Sequence, residues 1–142
     1  MSELLLIVRL AGERVALPAA EVEAVVEIEG VTPVPGAAAH VAGLSALRSR
    51  VVTLIDCARS VGSLCGAVPR DAAVVVVDGH PYALLVDCVE DVVPATSELR
   101  PLPGSLESGW SRAVRGCIEA EGDLILFLDI PALIAGPIAE AA

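Results

Sequence analysis

The stretch that decides the fold is Val41–Asp56, which reads VAGLSALRSRVVTLID. Its first apolar half leads to Arg48 and Arg50, and a second apolar run, Val51–Ile55, follows directly. Short runs of β-branched and aliphatic residues bounded by charges are typical of buried strands. Arg48 is therefore expected where a loop enters a sheet, and loops on a rigid scaffold often carry recognition. A solvated loop arginine is the competing interpretation.

The composition predicts a mainly β protein. Of the 142 residues, 55% are hydrophobic but only 2% are aromatic, so aliphatic side chains must fill the interior. Such side chains pack well inside small barrels and sandwiches. A chain of this length forms one domain, or two very small units that share a core.

Charge and hydropathy argue against nucleic-acid binding and membrane insertion. Nine basic and nineteen acidic residues give a net charge of −10, whereas nucleic-acid binding needs a basic face. The richest apolar region, 124–142, is broken by charges and prolines, and a spanning helix needs about 20 apolar residues. The apolar run 4–8 lacks the basic start and the length of a secretory signal. We therefore expect a cytoplasmic protein with no direct membrane insertion.

The cysteines and histidines do not have the spacing of a metal site. Zinc sites usually contain close cysteine pairs, and the four cysteines are Cys57, Cys65, Cys88 and Cys117. Three of them adjoin apolar residues, which is typical of buried, reduced thiols. His40 and His80 have no neighbour at ligand spacing, so we assign both to loops. We expect no metal, no cofactor and no enzyme activity.

The first 26 residues predict a hairpin followed by a helix. Residues 4–17 contain two apolar runs separated by a tight turn, which is a hairpin signature. Pro18 predicts the start of a short helix, because proline is tolerated in a first turn. Val22, Val25 and Val26 recur at helical spacing.

The second half of the chain repeats the first. Residues 15–26 align with residues 82–93 at an offset of 67; the identical pairs are Ala16/Ala83, Leu17/Leu84, Val22/Val89, Glu23/Glu90, Val25/Val92 and Val26/Val93. Three further landmarks follow in the same order, namely Pro33–Gly36 with Pro101–Gly104, Val41–Gly43 with Val114–Gly116, and the strand before Asp56 with the strand before Asp129. We interpret residues 1–142 as one domain with approximate repeat units 1–66 and 71–136.

This duplication has consequences for architecture and for the carboxylates. Each unit offers about five short strands, which bury both faces only if the sheet curls into a barrel and two barrels dock. Asp56 and Asp129 are then equivalent strand ends rather than a catalytic pair. The units differ at Arg48, where the second unit has Glu121, so only one unit carries the basic loop.

These landmarks resemble the CheW-like chemotaxis coupling family. In order, they read as a hairpin, V-x-x-V, P-x-P, V-x-G-x-x-x-L-R, V-V-x-x-I-D and V-D-x-V-x-D-V. The resemblance covers essentially the whole chain and is most specific over residues 41–56 and 85–92. It implies two intertwined five-stranded SH3-like β-barrels with short helices and no catalytic centre.

The resemblance also implies partners. Family members are adaptors that join the cytoplasmic tip of methyl-accepting chemoreceptors to the regulatory domain of a CheA-type histidine kinase. Arg48 matches the arginine of the family's N-L-R-G loop, and Gly43 matches the glycine that opens this segment. The residues expected to contact partners are Arg48, Gly43, Val22, Val25, Leu44, Leu47, Arg50, Ala83 and Val92.

By the same resemblance, a groove between the barrels receives the receptor's helical tip. Val22 and Val25 match its apolar side, and Ala83 and Val92 fall in the second barrel's part of it. Apolar side chains would supply affinity, and Arg48 would fix the register by pairing with a polar or acidic group. End-to-end contacts between barrels would build rings with kinase domains. Whether the protein also forms a homo-oligomer is left open by the sequence.

Three departures from the family pattern bear on this site. Ala46 and Ser49 replace the family's asparagine and glycine beside Arg48, and Ala24 replaces an acid. If the family's glycine has a positive φ angle, Ser49 strains the loop. The alternative function is a self-associating structural or regulatory β-barrel protein that has lost receptor or kinase binding.

Overall fold

The computed structural model describes residues 3–62, 70–102, 104, 106 and 108–136. Within them the strands are β1 Leu4–Leu10, β2 Glu13–Pro18, β3 Val22–Glu27, β4 Val41–Leu47, β5 Arg50–Asp56, β6 Asp71–Val77, β7 His80–Val86, β8 Cys88–Pro94, β9 Val114–Ala120 and β10 Asp123–Leu128. The α-helices are α1 Cys57–Ser60, α2 Ser108–Ala113 and α3 Ile130–Ala135, and a 3-10 helix covers Ala19–Glu21. No helix in this part of the chain is long and apolar enough to cross a membrane.

The strands form two five-stranded sheets, as predicted. One sheet has the order β8-β1-β2-β10-β9 and the other has the order β3-β6-β7-β5-β4. We call them barrel A and barrel B, because each encloses its own cluster of buried residues.

The two repeat units are intertwined. The hairpin β1–β2 pairs through β1 with β8 and, in parallel, through β2 with β10. In the same way β6–β7 pairs through β6 with β3 and, in parallel, through β7 with β5. Each barrel therefore takes a hairpin from one unit and three strands from the other, so neither unit closes a barrel alone.

The central hairpins are buried on both faces. Leu5 and Ile7 of β1 lie inside barrel A, whereas Leu6 and Val8 lie in the core that the barrels share. A strand covered on both sides reads as a continuous apolar run rather than an alternating one. This arrangement explains why 55% hydrophobic residues suit a chain of this size.

The region after Pro18 corrects a prediction. The short helix exists as a single 3-10 turn with Pro18 at its N-cap, but Val22, Val25 and Val26 lie in strand β3. Their helical spacing was misleading because β3 is a half-exposed strand at a sheet edge, with a register shift between Val22 and Ala24. β-branched valines also fit a pleated strand better than a helix.

Cys57 and Cys117 are buried free thiols, as expected, and Cys88 is a half-buried one. Cys65 lies outside the described residues. Burial, and secondarily the nearby Asp56 carboxylate, raises the pKa of the Cys57 thiol, so this cysteine stays protonated and unreactive.

The helices lie between the barrels and are held by side chains from distant segments. The carbonyls of residues 132–134, at the end of α3, accept hydrogen bonds from Arg112, Ser60 and His40 respectively. Arg112 also donates to the Ser60 carbonyl at 2.7 Å. Such donors satisfy carbonyls that a helix C-terminus leaves free. His40 does occupy a loop, as predicted, but it is buried and serves this contact. The loop prediction for His80 was wrong, because His80 is the first residue of strand β7.

Candidate functional site

Arg48 occupies the first position of the two-residue turn between β4 and β5. The last ladder pair before the turn is Leu47 with Arg50, so Arg48 and Ser49 form the loop. Both have positive φ angles, 49° and 68°, as a type I′ hairpin turn requires. The turn projects Arg48 into solvent at the end of a rigid ladder. We call residues 48–51 the basic tip.

A groove of about 410 Å³ opens behind the basic tip. It lies where β3 and β4, the two terminal strands of the barrel B sheet, face each other. Its lining residues are Glu23, Ala24, Val26, Leu47, Arg48, Arg50 and Val74. The structure therefore brings the predicted Leu47, Arg48 and Arg50 together on one depression.

The groove combines charged and apolar side chains. Arg50 pairs with Glu23 at 3.0 Å, and both side chains are about half exposed. Arg48 forms no ion pair with any described residue, so its charge is available to a partner. Ala24 adds no competing carboxylate to the wall. Cations beside apolar side chains suit a segment that presents both acidic and apolar groups.

Glu23 was missed by the sequence analysis. Nothing in its neighbourhood in the sequence indicated a partner, because Arg50 lies 27 positions away. The repeat alignment with Glu90 was the available signal. Both glutamates bind arginines, although Glu90 takes Arg9 and Arg14 rather than a residue of its own hairpin tip.

Gly43 serves the fold rather than direct partner contact. Its φ is 146°, and a Cβ atom placed on it would lie 2.5 Å from the Thr32 carbonyl oxygen. That close approach lets Thr32 pair with Leu44 in an isolated bridge. Gly116 does the same in barrel A, since its Cβ would lie 2.3 Å from the Arg100 carbonyl oxygen and Arg100 pairs with Cys117.

Val22 and Val25 have different surroundings. Val22 packs against the core shared by the barrels, whereas Val25 points outward and is 48% exposed. Val92, its repeat equivalent on β8 of barrel A, is also 48% exposed. Val25 and Val92 are therefore the members of the predicted apolar set that a partner can reach most readily.

Ala83 requires a correction. It is fully buried in the interior of barrel B, on β7 between β5 and β6. It therefore belongs to the same barrel as Val22 and Val25, because the hairpin β6–β7 closes barrel B and not barrel A. Its side chain shapes the scaffold but is closed to a partner. Leu44 is half-buried on β4, opposite Thr53 of β5.

The equivalent turn of barrel A carries the opposite charge. Glu121 and Gly122 connect β9 to β10, with φ angles of 52° and 82°, and Asp123 follows. Arg14 reaches across to Glu121 at 3.4 Å and to Asp123 at 3.1 Å. These carboxylates are 52% and 66% exposed. We call residues 121–124 the acidic tip.

Comparison with known proteins gives one consistent result. A family model described as "CheW-like domain" matches residues 4–137. A curated relative, chemotaxis protein CheW of Rhizobium meliloti (strain 1021), is 31% identical over 127 residues, covering 84% of this chain and 81% of that protein.

A solved structure supports the fold independently. The crystal structure of scaffolding protein TtCheW from Thermoanaerobacter tengcongensis superposes with a TM-score of 0.79 at 22% identity. The match covers 91% of this chain and 90% of the other. At that level of identity the likeness establishes the fold of two SH3-like barrels.

Proposed function

We propose, from the premise that this chain belongs to the CheW-like domain family, that it couples chemoreceptors to a CheA-type histidine kinase. As a member of that family it is a non-enzymatic scaffold of chemotaxis signalling. The finer assignment, which partners it joins and through which residues, is the proposal. Arg48 carries it, since it is a solvent-exposed cation on a rigid turn beside a groove.

The regulatory domain of the kinase docks at the basic tip. Arg48 pairs there with an acidic or polar group of the kinase, and Leu47 with the groove wall supplies apolar contact. The two-residue turn supports this role, because its backbone is fixed by the β4–β5 ladder and the loop loses little freedom on binding. Arg50 pairs with the Glu23 carboxylate at 3.0 Å.

The helical tip of the receptor docks on the outward apolar residues Val25 and Val92. Each is 48% exposed on an edge strand, and apolar anchors are what a helix uses when it lies in a groove. Val22, which is half-buried beside the shared core, supports Val25 from the same strand.

A capture assay tests the kinase contact. The immobilised regulatory domain of the cognate CheA-type kinase should retain the wild-type chain and lose Arg48→Glu. Arg100→Glu is the matched control, because it makes the same charge change on an exposed side chain of barrel A. If the kinase domain retains Arg48→Glu as well as it retains wild type, the basic tip is not part of the kinase-binding site.

A second assay tests the receptor contact. A peptide of the receptor's cytoplasmic tip should bind Val25→Asp and Val92→Asp more weakly than wild type. Val76→Asp is the control, since Val76 is also an exposed strand valine, at 41%, but lies outside the proposed surface. If all three variants bind alike, the valines are not receptor anchors.

A further inference from the structure

A depression of about 680 Å³ opens at one end of barrel A. It shares no lining residue with the groove behind the basic tip. Three of its lining residues, Ala95, Ile118 and Phe127, are buried and belong to the interior cluster of barrel A, and we call them the floor. The rim consists of the other lining residues, which are exposed or half-buried, namely Glu3, Thr96, Ser97, Glu98, Leu99 and Arg115.

The duplication supplies an internal comparison for the floor. The Ala95 amide donates a hydrogen bond to the Glu3 carbonyl at 2.8 Å. In barrel B the Ile28 amide donates to the Arg70 carbonyl at 2.7 Å, so Ile28 holds the position of Ala95. Ile28 is buried in the interior of barrel B. Barrel A therefore has a methyl group at a position where barrel B supplies a branched aliphatic side chain.

Barrel A also places a cation above this floor. Gly116 and Gly43 hold equivalent positions in their hairpins. The residue before this glycine is Arg115 in barrel A and Ala42 in barrel B. The Arg115 guanidinium lies 5.5 Å from the centroid of the Phe127 ring, and a cation over an aromatic face is attracted to it. The positive charge is thus held at the mouth of an apolar depression.

The rim carries charges of both signs. Besides Arg115, it includes the carboxylates of Glu3 and Glu98. Among the described residues, none of these three side chains forms an ion pair. The Ser97 hydroxyl accepts a hydrogen bond from the Glu119 amide at 3.0 Å and donates one to the Glu98 carbonyl at 2.9 Å, so it ties the loop to strand β9. A ligand at this rim therefore meets one cation and two carboxylates.

From these features we propose that the barrel A depression binds a short aliphatic zwitterion, of the class of the branched-chain α-amino acids. The aliphatic side chain of the ligand lies on the floor beside Ala95, in the place that Ile28 fills in barrel B. The ligand's carboxylate pairs with Arg115, and its ammonium group faces Glu98 and Glu3. Apolar surface with a few placed charges in a depression of this volume is typical of small-molecule sites.

The mixed charge of the rim determines which ligands fit. An aliphatic anion without an ammonium group meets two unmatched carboxylates, and an aliphatic cation without a carboxylate meets the unmatched Arg115. Both are therefore disfavoured relative to the zwitterion. This inference goes beyond the adaptor function, since binding of the ligand needs neither kinase nor receptor.

Amide NMR of the isotope-labelled full chain, titrated with L-leucine, tests the proposal. Saturable shifts are expected at the amides of residues 95–99 and 115–118, with a Kd of about 1 mM or lower. Isocaproate and isoamylamine keep the aliphatic body of L-leucine but carry one charge each, and glycine keeps both charges without that body. Each of these three compounds should bind at least about tenfold more weakly than L-leucine.

Two variants separate the floor from the rim. Ala95→Ile installs the side chain that barrel B already accommodates at this position and should abolish L-leucine binding, because the space beside Ala95 is then filled. Arg115→Gln leaves the floor intact and should weaken binding at least about tenfold. Arg70→Gln is the matched control, because it makes the same change at an exposed position of barrel B, and it should bind like wild type.

Thermal unfolding confirms that each variant is folded, and Arg115→Gln, an exposed substitution, carries the test alone if Ala95→Ile unfolds. Three results would each overturn the proposal: no saturable shifts with L-leucine, equal binding of the singly charged compounds, or unchanged binding by Arg115→Gln. No measurement involves a kinase or a receptor, so failure here is distinct from failure of the adaptor function.

Discussion

The hairpins β4–β5 and β9–β10 have the same scaffold and different tips. Behind the tips, Gly43 and Gly116 admit a neighbouring carbonyl, and Asp56 and Asp129 cap the following helices. These positions agree because backbone geometry demands the same residue twice. The solvent-facing tips are free of that demand, and there one hairpin is basic and the other acidic. We infer that agreement between the halves reflects folding, and we propose that the divergent tips serve recognition.

The largest effect is expected at the paired glycines. Gly43→Ala and Gly116→Ala place a Cβ atom 2.5 Å and 2.3 Å from a backbone oxygen, and Gly43 adds a strained φ. We expect each to lower the free energy of unfolding by about 3 kcal/mol, measured by urea denaturation. Gly30→Ala, where the space is open, is the control and should cost little. If only one of the two substitutions lowers the free energy of unfolding, Gly43 and Gly116 are not structurally equivalent.

Removal of the capping aspartates should cost less. Asp56 accepts a hydrogen bond from the Arg59 amide at 3.3 Å, and Asp129 accepts one from the Ala132 amide at 3.2 Å. Alanine at either position should lower the free energy of unfolding by about 1 kcal/mol. Asparagine at the same position keeps the cap and should recover most of the lost stability. Thermal unfolding of the alanine and asparagine variants measures both effects. An alanine variant as stable as wild type would show that the cap is dispensable.

The two tips also differ in the residue at the second position of the turn, which is Ser49 in one and Gly122 in the other. Among the residues that the structure describes, four two-residue turns have positive φ at both positions. Ser49, at 68°, stands where Gly12, Gly79 and Gly122 occur in the others. A left-handed conformation costs a non-glycine residue about 1–2 kcal/mol, partly offset by the greater entropy of glycine in the unfolded chain. Ser49→Gly should therefore stabilise the protein by about 0.5 kcal/mol, and Gly122→Ser should destabilise it similarly. Urea denaturation measures both changes. If Ser49→Gly destabilises the protein and Gly122→Ser stabilises it, Ser49 is not strained.

The smallest effects concern Glu23 and Glu90. Glu23→Gln removes one exposed ion pair and should change stability by less than about 0.5 kcal/mol.

Hydrogen bonds from Arg9 and then Arg14 lower the pKa of Glu90 from its ordinary value of 4.5. Its stabilisation is therefore complete above pH 4.5 and is lost as the pH falls through the lowered pKa. The deficit of Glu90→Gln should shrink in acid, and a deficit that is independent of pH would contradict this assignment.

The parts of the fold that depend on local patterns were predictable from the sequence. The two apolar runs of residues 4–17 and the glycine of their turn gave the first hairpin, and the offset of 67 identified Val25 and Val92 as equivalent, with equal exposure. Strand β3 was wrongly predicted as a helix, because its valines have a helical spacing along a sheet edge that contains a register shift.

Long-range partners could not be predicted. The ion pair of Glu23 with Arg50 spans 27 positions, and the contact of His40 with the Ile134 carbonyl spans 94. The position of Ala83 depends on which hairpin closes which barrel. Periodicity and propensity describe neighbours along the chain, so such contacts follow only from the topology.

The most direct test of the account exchanges the two tips. The affinity of the kinase regulatory domain would be measured by calorimetric titration for R48E/S49G/R50D, which places the acidic tip on barrel B, and for E121R/G122S/D123R. We predict at least about a tenfold loss for the first variant and wild-type affinity for the second. Wild-type affinity in the first variant would contradict the claim that the basic tip is the docking site.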